Sequence, residues 1–188
     1  MSPYSYLAST RVEAMVRGAG GAVEWRPCFL PGILRATGNR GPAELPAKLA
    51  HLLKDLNDWT DHLGLPRVRL PEPVPFLATQ ANRCALVALD EGRGASFITA
   101  MFRAIWRDGR SASDPAVLAD VLTSEGLDAA RVIALASSPA MKERLKAATD
   151  EAVRRGAYGV PAFFVGDELF MGNDRLEFVV RRLDRGTR

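Results

Sequence analysis

The chain has 188 residues, about one domain length. With 47% apolar and 25% charged residues it can build a sizeable core, which excludes a wholly disordered protein. A net charge of +3 is too even a balance to imply nucleic acid, though it leaves room for a small anionic ligand. No apolar run approaches the roughly 18 residues of a membrane span.

The N-terminus, MSPYSYLASTR, has no basic region followed by an apolar one, so no secretory signal is visible. From Pro3 to Arg17 the apolar residues Tyr4, Leu7, Ala8, Val12, Met15 and Val16 recur at helical spacing. Ser2-Pro3 supplies an N-cap and a first-turn proline, and the glycines from Gly18 to Gly21 stop this helix. Ala22–Arg26 alternates apolar and polar residues as a short strand does. Between Pro27 and Pro46 the chain reads as turns around a short Ile33–Ala36 piece.

Helical patterns then follow at Glu44–Leu63, Phe76–Glu91, Gly94–Arg107, Asp114–Glu125, Asp128–Ser137 and Ala140–Arg155, with the Pro-rich connector LPRVRLPEPVP after the first. In the last third the period changes. Ala162–Val165, the turn Gly166-Asp167 and Glu168–Met171 form a tight β-hairpin, and Asp174–Leu183 a final helix. The order is βα pieces, a long helical insert, then ββα.

Few side chains carry chemistry on their own. Ser2 at a helix start either caps the helix or joins the free N–H groups in holding an anion, an environment that also lowers a bound thiol's pKa. Val160-Pro161 precedes a strand; a cis bond there would turn the Val160 backbone toward a ligand, with trans the default. Asn173 and Asp174 cap the last helix by default, and Asp174 could alternatively grip an ammonium group. Asn39 sits in a turn and Lys48 on a solvated helix face. Cys28 and Cys84 form no CxxC pair and read as small buried apolar residues in a reducing cytoplasm. His51 and His62 are too isolated for a metal centre, and none is expected. Trp25, Trp59 and Trp106 read as core or interface aromatics.

Taken in order, Ser2-Pro3-Tyr4-Ser5-Tyr6-Leu7, Trp25-Arg26-Pro27, Gly38-Asn39-Arg40, Pro46-Ala47-Lys48, Gly159-Val160-Pro161-Ala162-Phe163-Phe164-Val165 and Gly172-Asn173-Asp174-Arg175 form a pattern. It resembles the 2-hydroxychromene-2-carboxylate isomerase family, kin of kappa-class glutathione transferases and DsbA-like thioredoxin-fold proteins, over essentially the whole chain. The resemblance implies an α/β, thioredoxin-like fold, residues 1–40 and 156–188, with an inserted all-helical domain at 41–155. It implies glutathione as cofactor, a cytoplasmic homodimer, and a small-molecule substrate such as a hydroxychromene carboxylate or related aromatic keto acid, with no nucleic acid or membrane partner.

By the same resemblance Ser2 contacts the glutathione sulfur, and Asn39 and Lys48 lie near the glycyl end and the sulfur. The Val160 backbone, before a cis Pro161, pairs with the cysteinyl part, while Asn173 and Asp174 hold the γ-glutamyl end. One departure stands out. The family has a strand just before the serine where this sequence has only Met1, so the first β-strand is missing and the natural product is expected to be longer. Two further activities share these motifs: a kappa-like glutathione transferase or peroxidase, and a non-catalytic DsbA-like binding module. Replacement of both CxxC thiols by Ser2 and Ser5 excludes dithiol oxidoreductase chemistry.

Overall fold

In the computed structural model, which describes residues 1–41, 45–72 and 77–186, the first expected helix is two helices: α1 (Pro3–Ser9) and α2 (Val12–Gly18). The interruption is local. The Ser9 hydroxyl donates to the Tyr6 carbonyl at 2.7 Å and the Thr10 hydroxyl to the Leu7 carbonyl at 2.8 Å. Such back-bonding competes with the backbone ladder, and Arg11 leaves helical geometry at φ −138°. The apolar stripe nevertheless continues through the break, so Tyr6, Leu7, Ala8, Val12 and Val16 are all buried.

Residues 22–26 keep the expected alternation without forming a strand. Val23 and Trp25 turn inward against apolar neighbours, while the exposed Glu24 and Arg26 pair with each other at 2.5 Å. Alternation fixes which side chains face the core, but a ladder also requires a neighbouring strand. Among the described residues the sheet has two strands, β1 (Ala162–Val165) and β2 (Glu168–Met171), antiparallel with Ala162 opposite Met171 and Val165 opposite Glu168.

The turn-rich stretch contains a full helix, α3 (Leu30–Thr37), with a proline in its first turn and Gly38 as a left-handed C-cap at φ +67°. Gly32 serves packing rather than a turn: a Cβ there would meet Thr149 Cγ2 at 3.2 Å. The Phe29 N–H donates to the Thr149 hydroxyl at 2.9 Å beside it. The helical body comprises α4 (Pro46–Leu63), α5 (Thr79–Asp90), α6 (Gly94–Trp106), α7 (Pro115–Ser124), α8 (Ala129–Ala136) and α9 (Pro139–Arg154). Asp114, Asp128 and Ser138 cap the last three of these by accepting backbone N–H bonds. The expected helix starts at Glu44 and Phe76 and the Pro73–Pro75 part of the connector lie outside the described residues.

Most buried apolar side chains of the described residues fall into two clusters. The larger joins Phe97, Met101 and Ile105 of α6 to Leu122, Val132 and Leu56, with Tyr6 and Leu7 of α1. The smaller joins Ala8, Val12 and Val16 to Leu176 and Val179 of α10 (Leu176–Gly186), with Phe163, Val165 and Phe170 of the hairpin against it. Each large side chain so buried contributes about 1.5–3 kcal/mol. Helix α1 serves both clusters, which fixes its start relative to the hairpin and to the 3-10 turn Asn173–Arg175 that precedes α10. Among the described residues no helix is long and apolar enough to cross a membrane.

Candidate functional site

Hydrogen bonds tie Asn39, Pro161 and the Gly172-Asn173 turn to one edge of the hairpin, whereas none among the described residues joins Ser2 or Lys48 to it. The Val160-Pro161 bond is cis, in accord with the resemblance and against the trans default. The Gly172 N–H donates to the Pro161 carbonyl at 2.9 Å, tying the entry of β1 to the exit of β2. Gly172 has φ +104°, which favours glycine; a Cβ there would sit 2.5 Å from Asp174 Oδ1 and the carboxylate would have to turn away. On the other flank, the Asn39 side-chain N–H donates to the Tyr158 carbonyl at 2.8 Å, two residues before Val160.

Asn173 and Asp174 occupy the 3-10 turn with opposite environments. Asn173 is buried, 2% exposed, and its Nδ2 has no hydrogen-bond partner. The Asp174 carboxylate is more than half exposed and meets Arg175 Nε at 3.4 Å. The N-cap of this turn is Gly172, with no side-chain cap.

Ser2 is buried at the head of α1, its carbonyl accepting the Tyr6 N–H at 3.1 Å. Its hydroxyl makes no capping bond, so the ordinary capping role does not hold. Because α1 is seven residues long, its local N–H groups, rather than the dipole of the longer helix expected, are available to an anion. Lys48 is exposed, its ammonium 3.4 Å from the Arg40 carbonyl. Beside Asn39 lies a cleft of about 360 Å³ lined by Pro31, Leu34, Arg35 and Arg40. A larger one, about 550 Å³ at the start of α7, shares no residue with this region.

Sequence reasoning missed four side chains here. The Tyr4 hydroxyl donates to Asp55 Oδ2 at 2.7 Å. Burial first, then that bond and the charges of Asp55 and Asp174, hold the phenol well above its ordinary pKa and therefore protonated. Arg11 Nη2 donates to the Asn173 carbonyl at 2.8 Å and to its Oδ1 at 3.0 Å. The guanidinium lies 5.1 Å from the Trp59 ring centroid. Tyr4 stands inside a quoted motif, and the Ser9-Thr10 hydroxyl pair marks the break that frees Arg11; Asp55 and Trp59 carry no local signal.

Cys28 and Cys84 are free thiols; Cys84 is buried as expected but Cys28 is only half-buried, and desolvation pushes them up to about 11 and about 12. Neither offers a thiolate near neutral pH. Among the described residues no cluster of His, Cys, Asp and Glu could hold a metal ion. The turn after the hairpin thus combines a buried amide donor without a partner with an exposed carboxylate, a pair able to meet one acceptor and one cation.

Residues 1–184 match the family model of the DSBA-like thioredoxin domain. A 2-hydroxychromene-2-carboxylate isomerase of Sphingobium xenophagum is 34% identical over 95% of this chain and 91% of its own. Human glutathione S-transferase kappa 1 is 25% identical over 97% of this chain and 87% of its own. A solved 2-hydroxychromene-2-carboxylate isomerase superimposes with a TM-score of 0.89 at 29% identity, covering all of this chain and 92% of that one.

Proposed function

Because this chain belongs to the DsbA-like thioredoxin-domain family and to the family of 2-hydroxychromene-2-carboxylate isomerases, we propose that it is a glutathione-dependent cis–trans isomerase acting on a hydroxychromene carboxylate or related aromatic keto acid. The observation that carries the glutathione part is the pair at the head of α10. A buried amide donor without a partner stands next to an exposed carboxylate. That donor–acceptor pair fits the carboxylate and ammonium of a γ-glutamyl end.

Bound there, glutathione supplies a soft thiolate that adds reversibly to an activated double bond and so permits rotation about it. The chain's own residues bind and orient. Asn173 Nδ2 donates to the ligand's carboxylate, and Asp174 accepts from its ammonium. The Val160 backbone pairs with the cysteinyl part beside cis Pro161. Asn39, held by its bond to the Tyr158 carbonyl, and Lys48 flank the glycyl end. The Ser2 hydroxyl donates to the sulfur anion, aided by the free N–H groups of α1. Holding both reactants in one geometry supplies the remainder of the acceleration. The enzyme works as a cytoplasmic homodimer in this reading.

Kinship with human glutathione S-transferase kappa 1 favours a second reading in which the same site stops after addition. Turnover of 2-hydroxychromene-2-carboxylate, with glutathione followed by mass spectrometry, separates the two. Isomerisation leaves the total of free glutathione constant, whereas conjugation of an electrophile depletes it. Absence of isomerisation over a panel of chromene and benzylidene keto acids would overturn the first reading.

A further inference from the structure

Arg11 stands outside every motif quoted above, 162 positions from its partner, and it is committed to one residue of the site. A single terminal nitrogen, Nη2, donates both to the Asn173 carbonyl and to Asn173 Oδ1. Its Nε is buried without a partner, so the side chain is not placed there to satisfy itself. The guanidinium is supported from beneath by Trp59. The helix break at Thr10 allows this reach, since Arg11 has left helical geometry.

A guanidinium carries only donors. The atom of the Asn173 amide that faces it must therefore be the oxygen, and Nδ2 must face away. The orientation of the amide is thus dictated by chemistry. Nδ2, on the far side of the amide from Arg11, is enclosed and unpartnered, a buried donor that an acceptor of the right size would satisfy.

From this geometry we propose that Arg11 is a positioning residue that locks the Asn173 amide with its N–H₂ toward the ligand, making the head of α10 selective for the γ-glutamyl carboxylate of glutathione. The inference rests on the glutathione reading above. Without Arg11 the amide can turn over and present oxygen to the ligand carboxylate, a repulsive contact in place of an attractive one.

Calorimetric titration tests it with two probes: glutathione, and γ-aminobutyryl-cysteinyl-glycine, which keeps the amine but lacks the γ-glutamyl carboxylate. Arg11→Ala is expected to weaken glutathione about tenfold or more, the scale of one charge-assisted hydrogen bond, and to bind the decarboxylated probe as the wild type does. Asn173→Asp keeps an acceptor for Arg11 while removing the donor, and is expected to show the same selective loss. Arg11→Gln, whose amide can meet either atom of the Asn173 amide, is expected to show it too and replaces Arg11→Ala if that variant fails to fold. Wild-type binding of glutathione with the Arg11 variant within twofold of it, or an equal loss with both probes, overturns the role of Arg11 and leaves the glutathione reading standing. Failure of the wild type to bind glutathione overturns both.

Discussion

Replacing Ser2 by alanine separates the role of a helix cap from that of a thiolate donor, because the two assign opposite consequences to one oxygen atom. A capping serine contributes about 1 kcal/mol to stability, which at this chain length is a shift of about 2–4 °C in Tm. Here the hydroxyl is buried and makes no bond to the helix start. Its removal leaves no orphaned partner, and Ser2→Ala is expected to melt within about 0.5 kcal/mol of the wild type. The effect falls instead on the ligand. A hydrogen bond to a charged group is worth about 1.5–3 kcal/mol, or about one to two pKa units at 1.36 kcal/mol each. The thiol of bound glutathione should therefore ionise about one to two units higher in the variant, with kcat reduced about tenfold to a hundredfold. Ultraviolet absorbance of the thiolate, followed against pH in the saturated complex, reads the shift. An unchanged titration together with a lower Tm would return Ser2 to the capping role and refute the reasoning.

Asp174→Asn removes an exposed carboxylate whose contact with Arg175 adds little to stability. It should raise the KM for glutathione about tenfold while leaving kcat unchanged at saturation, the sign of a group that binds ground and transition states alike. Thiol reagents at pH 8 should not label the buried Cys84 until denaturant is added, and should label the half-buried Cys28 only slowly, since desolvation holds both thiols protonated; rapid native labelling of Cys84 would contradict this. Asp90 accepts two bonds from Arg144, at 2.5 and 2.8 Å, which hold its carboxyl below the usual range. A depressed folded-state pKa adds stability above the unfolded value, lost as pH falls through the folded one. Asp90→Asn should therefore cost up to about 1 kcal/mol at neutral pH and nothing below the folded pKa, as urea unfolding at several pH values would show.

Local chemistry made the hairpin legible: Gly166 takes φ +60° at the first turn position, as a two-residue connection of this kind requires. The helix starts at Asp114 and Asp128 were equally readable, since each side chain bonds an N–H two or three residues ahead. The break in the first helix was hidden because the apolar stripe runs through it and only the Ser9 and Thr10 hydroxyls interrupt the ladder. Pro31-Gly32 looked like a turn, yet the proline opens α3 and the glycine admits Thr149. Alternation at residues 22–26 correctly sorted inside from outside but could not supply a partner strand. Of the proposed site, Ser2, Asn39, Lys48, Val160, Asn173 and Asp174 stand out only through their ordered motifs, each being an ordinary cap, turn or surface residue alone. The bond between Arg11 and Asn173 left no trace in the sequence, for it depends on where two distant turns meet.

The dependence of turnover on glutathione bears most directly on the whole account. Protein dialysed free of thiols should leave 2-hydroxychromene-2-carboxylate unchanged. Catalytic amounts of glutathione should then restore isomerisation along a saturating curve, with the tripeptide recovered intact. Full turnover without any thiol, or equal rescue by a simple thiol such as 2-mercaptoethanol at the same concentration, would contradict a site built to hold the γ-glutamyl end and steady the sulfur anion.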